Sequence, residues 1–352
     1  MRTNRTVVVG LVCLTLAVST GSASGEGLLR AQQPTPKVTD GVAIRPEDEK
    51  RLPALARARQ IDACALLDPG SVKAIFGGVP RDVTPQDLDG CSMSVELSSS
   101  SVDGWRIAVE SSQLMREDPD SEKLELHGRT FTGKESEPIG GRPVSSCTWM
   151  MPTSEGRNSF AISLNVSWSG TGQPPKPPCA LAKEYLVPLA PYWITPPLRG
   201  EGATKPELVL GTKNPCAALP ELAKRFAVPG EQPRQEVIAP YSCTMTLTEY
   251  KPETRAPSTR LGISFGWSTN PVYLTSVKDS SFRAATVAGK PAAVTMNPIS
   301  RSCQVDVQYD PTTIPERFAT EPTKRKMQVI TVTAPTCEVA EPAAEIVVKG
   351  AL

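Results

Sequence analysis

The chain carries one histidine, His127, in the polar stretch "LELHGRTF". A Ser-His-Asp or Cys-His arrangement would have to use it, since no other imidazole is available to move a proton near neutral pH. A surface position is the simpler reading for it. No Ser-x-x-Lys, His-Glu-x-x-His or Walker loop occurs, and no nucleophile elbow is read. No Cys-x-x-Cys occurs either, so neither thioredoxin-like exchange nor a zinc ribbon is supported. Paired carboxylates could cleave glycosides. Glu117, Asp118, Asp120, Glu122 and Glu125 cluster, yet they read as a solvated loop, and "DPDSE" lacks the full calcium-loop pattern. Asn165-Val-Ser167 fits a glycosylation sequon inside a strand and is read as idle. The residues thus name no catalytic, cofactor-binding or metal-ligating group, and an enzyme built on an unfamiliar acid pair stays a minor reading.

The chemistry that does stand out is cysteine. Cys13 lies in the apolar leader, which leaves Cys64, Cys91, Cys147 and Cys179, then Cys216, Cys243, Cys303 and Cys337. The first gap is the same in both sets of four, and the other gaps differ by a few residues. An even number of cysteines in an exported chain reads as a disulfide framework. The flanks repeat as well: "DACALL" with "NPCAAL", "DGCSMSVEL" with "YSCTMTLTE", "GWRIAVES" with "TRLGISFGWS". "IGGRPVSSCTWMM" is aligned with "VAGKPAAVTMNPISRSCQVDV", with a longer stretch between Gly-x-Pro and cysteine in the second copy. The reading is a tandem duplication.

Each copy reads as helix, strands, helix. Asp62 and Asn214 are N-cap residues, and Pro215 suits the first helical position. Asp68-Pro69 splits the first helical segment in two, with Ser71 available to cap the second piece. Phe160, Ile162, Leu164, Val166 and Trp168 alternate with Ser163, Asn165 and Ser167, which is the period of a strand with one buried and one wet face. Met93, Val95 and Leu97 repeat the pattern in the first copy, and Val305, Val307 and Tyr309 in the second. "CALAKEYLVPLA" and "CEVAEPAAEIVV" close the two copies as helices. The fold class is therefore α+β: two tandem repeats, each an antiparallel sheet with helices packed on one face and two disulfides. The pairing read here is first-to-second and third-to-fourth in each copy, stapling helix to sheet. Four cysteines allow three pairings, and the other two stay open at this stage.

At these residues the chain resembles the actinobacterial "domain of unknown function 3558" family of exported or lipid-anchored envelope proteins. Cys64, Cys91, Cys147 and Cys179 with Gly141 and Pro143 carry the pattern in copy one. Cys216, Cys243, Cys303 and Cys337 with Gly289 and Pro291 carry it in copy two. The likeness covers roughly residues 60–192 and 212–350. It implies a fold and a compartment more than a reaction.

The N-terminus reads as a secretory signal over 1–23. Arg2 and Arg5 precede the apolar run Val7 to Val18, and Gly21 and Ala23 stand at the signal-peptidase spacing. Val12 before Cys13 does not suit a lipobox. No later segment reaches the roughly 18 apolar residues of a membrane span. Residues 24–60 read as a flexible arm, partly helical over 47–60; 61–192 as the first domain; 193–211 as a Pro- and Gly-rich linker; and 212–350 as the second domain. Tyr192 and Trp193 are expected to pack under the closing helix of copy one. The basic run Lys324 to Lys326 reads as a charged strand edge.

The formal net charge is +1, with 35 prolines and 5% aromatics. Near-neutral charge gives no bulk attraction to nucleic acid. The expectation is a non-catalytic, secreted binding protein at the outer face of the cell envelope, with no cofactor and an unknown protein or wall-component partner. The second reading is a small-molecule or lipid carrier, its cavity between sheet and helix and lined by Phe160 to Trp168.

Overall fold

The chain folds around two antiparallel-rich sheets. The computed structural model describes residues 37–97, 103–115, 118–136, 145–153, 159–170, 172–201, 207–249, 258–276, 281–297, 299, 301–310 and 326–351. The signal segment, Cys13, Glu117, Gly141, Pro143, Lys324 and Arg325 lie outside these residues.

Two short strands come first, β1 (Lys37–Thr39) and β2 (Val42–Ile44), then helix α1 (Pro46–Gln60). The first half continues with a 3₁₀ turn over Ala63–Leu66, α2 (Pro69–Phe76), β3 (Val79–Pro80), β4 (Thr84–Pro85), β5 (Gly90–Glu96), β6 (Gly104–Leu114), β7 (Glu122–Leu126), β8 (Arg129–Glu135), β9 (Ser146–Pro152), β10 (Phe160–Trp168) and α3 (Pro178–Ile194). The second half has 3₁₀ turns over Val209–Thr212 and Pro215–Ala218, α4 (Leu219–Phe226), β11 (Arg234–Ala239), β12 (Ser242–Thr248), β13 (Thr259–Thr269), α5 (Pro271–Ser276), β14 (Arg283–Val287), β15 (Lys290–Asn297), β16 (Ser302–Asp310), β17 (Lys326–Ala334) and α6 (Cys337–Ala351). The class is α+β.

The first sheet runs β3-β5-β6-β10-β9-β8-β7, with β4 also on β5; the second runs β1-β2-β11-β12-β13-β17-β16-β15-β14. From β5 and from β12 onward the two orders correspond strand for strand. The β7–β8 turn and the β14–β15 turn also correspond. His127 and Gly128 stand there at φ 50° and 74°, and Ala288 and Gly289 at 48° and 78°. Two consecutive left-handed residues give the turn that suits strand twist. This shifts one alignment made from sequence. Gly289-Lys-Pro291 matches Gly128-Arg-Thr130 by its place in the fold, not Gly141-Arg-Pro143, which follows β8. The longer stretch before Cys303 is thus a product of that alignment.

Local chemistry sets the helix starts. Asp62 accepts from the Cys64 N–H at 3.1 Å, and Asn214 from the Cys216 N–H at 3.1 Å. Asp68, rather than Ser71, caps α2, accepting from Gly70 N–H at 2.8 Å, and Ser71 donates to the same carboxylate. Each cap holds a cysteine-bearing turn or helix start against its sheet. Cys64 bonds Cys91, Cys147 bonds Cys179, Cys216 bonds Cys243 and Cys303 bonds Cys337, with Cα separations of 5.0, 4.9, 5.4 and 5.0 Å.

The first core joins Leu181, Tyr185, Leu186 and Leu189 of α3 to Trp149, Ile162, Leu164 and Val166 of the sheet. Phe160 departs from this set. At the start of β10, where the strand emerges beside α1, it belongs to the second core together with Leu55 of α1 and Leu88. The Arg51 guanidinium lies 5.0 Å over its ring.

Residues 37–60 differ from the expected flexible arm. β2 pairs with β11 in parallel, and α1 buries Leu55 and Ala58. The linker reading also changes. α3 continues through Trp193, which is fully buried, while Tyr192 stays exposed. Beyond it, Leu208 and Leu210 are buried in the second core. A Pro-rich composition hid these anchors, each of which is apolar and placed singly.

Candidate functional site

A cavity of about 370 Å³ opens where α1 and α3 end beside the β7–β8 turn. Its floor is apolar: Ile61, Met151 and Trp193 are almost fully buried, and the Phe131 and Trp193 rings meet 6.2 Å apart beneath. Arg57, on the last turn of α1, and Arg129, first residue of β8, line it with Thr130 and Thr153. Both arginines are exposed, and among the described residues neither makes an ion pair. The Trp193 indole N–H is buried without a hydrogen-bond partner. An unpaired buried donor is costly, about 1–3 kcal/mol.

Strand geometry sorts the rim charges. Arg129 faces Leu126 across the hairpin, on the side where Phe131 enters the core. Glu125 faces Thr130 on the other side and accepts its hydroxyl hydrogen bond at 2.5 Å. No carboxylate lines the cavity among the described residues. A second hollow, of about 540 Å³, shares Thr130 and Pro152 and continues onto the outer sheet face past Thr132, Lys123 and Asp118. The Thr132 hydroxyl is also buried there without a partner.

The junction between the halves is polar. Arg199 donates from Nε to the Arg59 carbonyl at 2.9 Å, and from Nη2 to the Leu88 carbonyl and the Tyr241 hydroxyl. Tyr241 in turn donates to the Gly211 carbonyl at 2.9 Å. A Cβ at Gly211 would stand 2.7 Å from the Arg199 guanidinium carbon, so a larger residue there would displace that side chain. Burial pushes the Tyr241 hydroxyl up to about 12, so it remains a donor at neutral pH. Asp87 accepts from Trp267 N–H at 3.1 Å, linking the first half to β13. Crowding by protein, then the neighbouring Asp89 carboxylate, raise the Asp87 pKa; crowding, then Asp89 and Asp87, raise that of Glu110. Solvent still reaches both side chains. These groups hold the halves together.

The residues weighed for catalysis are not assembled. His127 is the exposed tip of the β7–β8 turn. Asp118 pairs with Lys134, and Glu122 with Lys183. Asp120 and Glu125 are exposed. Asn165 donates to Thr148 across the sheet at 2.9 Å. One string, Gly262-Ile263-Ser264-Phe265-Gly266, does fit Gly-x-Ser-x-Gly. It lies in the middle of β13, with Ser264 opposite Ser242 and Thr331. A nucleophile elbow needs a strand-to-helix turn that exposes the serine, and a paired central strand does not supply one. Among the described residues no cluster of His, Cys, Asp and Glu could hold a metal ion. No helix among them is long and apolar enough to cross a membrane.

The cavity itself was not legible beforehand. Arg57 and Arg129 are far apart in sequence and carry no motif.

No protein-family model matches the chain, and no curated protein matches it. Two solved structures are similar at a low level. The di-domain ARO/CYC StfQ from the steffimycin biosynthetic pathway is 13% identical, over 78% of this chain and 82% of that one, with a TM-score of 0.14. The di-domain ARO/CYC BexL from the BE-7585A biosynthetic pathway is 9% identical, over 84% and 93%, also at 0.14. A superposition that poor supports nothing about chemistry.

Proposed function

We propose that this chain is an exported, non-catalytic binding protein of the cell envelope. On this reading it is a tandem duplication of a domain that resembles the "domain of unknown function 3558" family, with 1–23 a removed signal. Four disulfides favour an oxidising compartment, because cytosolic thiols are kept reduced. The matching strand orders and cysteine pairs favour the duplication.

The observation that carries the binding role is the solvent-open cavity with an apolar floor and a basic rim that makes no ion pair among the described residues. It moves the ligand site away from the space between sheet and helix, where Ile162, Leu164 and Val166 pack as core. A small molecule is the ligand class that fits the size of the hollow.

Native mass spectrometry of the mature protein, recovered from its host without denaturant or reductant, tests this. A bound mass that leaves on denaturation supports the role. Turnover of a defined substrate that is lost on changing His127 or Glu122 overturns it.

A further inference from the structure

We infer that the cavity beside the β7–β8 turn takes a small organic acid, its anionic group between Arg57 and Arg129 and its apolar body over Ile61, Met151 and Trp193. This rests on the binding role proposed above and names its ligand class.

The electrostatics favour an anion by count. α1 and α3 both end at the cavity, so each brings about half a negative charge from its free carbonyls. Two guanidinium groups bring two positive charges, and no carboxylate lines the cavity among the described residues. Net positive potential remains over an apolar floor. The rim holds few competing partners. Among the described residues Arg57 and Arg129 make no ion pair, so an incoming acid does not break one there. A guanidinium offers a planar fork that fits carboxylate, sulfonate or phosphate oxygens. The floor selects against a bare inorganic ion. Pro152, Ile194 and Pro196, which line the cavity and keep part of their apolar surface exposed, gain from an apolar cover.

Isothermal titration of the full mature chain with three probes of one shape tests it: 2-naphthoate, 2-naphthalenesulfonate and the neutral 2-naphthamide. Both anions should bind at one saturable site about ten-fold or more tighter than the amide, and the gap should shrink as salt rises. Arg57→Gln and Arg129→Gln, both at exposed positions, should keep the thermal midpoint and each remove most of that preference. Absence of saturable anion binding overturns the inference. So does equal affinity for the amide, or undiminished anion binding by the double variant. A neutral molecule found by native mass spectrometry would overturn this inference while leaving the binding role standing.

Discussion

Arg199 does at one residue what a larger interface would otherwise do. Its guanidinium collects a carbonyl from α1, a carbonyl from the loop before β5 and the hydroxyl of Tyr241. Arg199→Ala leaves those acceptors without a donor and should cost about 1–3 kcal/mol in urea unfolding. Leu164 tests the core in the same way. It is fully buried between β10 and α3, and Leu164→Ala should cost about 2–5 kcal/mol, with ligand binding at the rim retained in the folded fraction. Asp87 and Glu110 predict the pH dependence. Unfolded, they ionise near 4, at about 3.9 and 4.3. Folded, crowding and mutual repulsion raise both. The unfolded chain therefore loses its protons first. Stability falls as pH rises from about 4 through the raised folded values, then levels off. Asp87→Asn combined with Glu110→Gln should flatten the thermal midpoint across that window. The Asn side chain still offers Trp267 N–H an acceptor oxygen.

At the scale of elements, the staples and the sheets divide the work. Each disulfide joins a helix or turn to the strand beneath it, closing loops of 27, 32, 27 and 34 residues. Loops of that length constrain the unfolded chain by about 3–4 kcal/mol each. Replacing Cys147 and Cys179 together by alanine should lower stability by about that amount in guanidinium titration, and should loosen α3, whose last turn carries Trp193. The cysteine spacing, the alternation in β5, β10 and β16, and the caps Asp62 and Asn214 were legible in the sequence, because each is a local preference. Phe160 was not. Its alternation with Ile162 holds in sequence and in the strand, yet at the strand's first position it meets the second core rather than the first. α1 was half legible: its acidic start and basic end suggest a helix, but nothing local says that Leu55 has a core to enter.

Over the whole molecule the two halves are not independent beads. Leu55, Leu88 and Phe160 belong to the second core although they precede the second half in sequence, and β2 extends the second sheet. Residues 36–352 form one compact unit. Calorimetry should accordingly give a single cooperative transition. Two well-separated transitions would show that the shared contacts are too weak to couple the halves.

By itself the sequence determined the α+β class and two matching sets of four cysteines. These follow from short-range rules of capping and strand period, together with residue spacing that can be counted. Tertiary structure alone decided that residues 37–60 and the linker's Leu208 and Leu210 are anchored and that the 262–266 string lies within a paired strand. It also set Arg57 and Arg129 on one cavity. Each of those depends on which distant surfaces meet, and a cavity is the space that packing leaves unfilled, for which no local run of residues carries a signal.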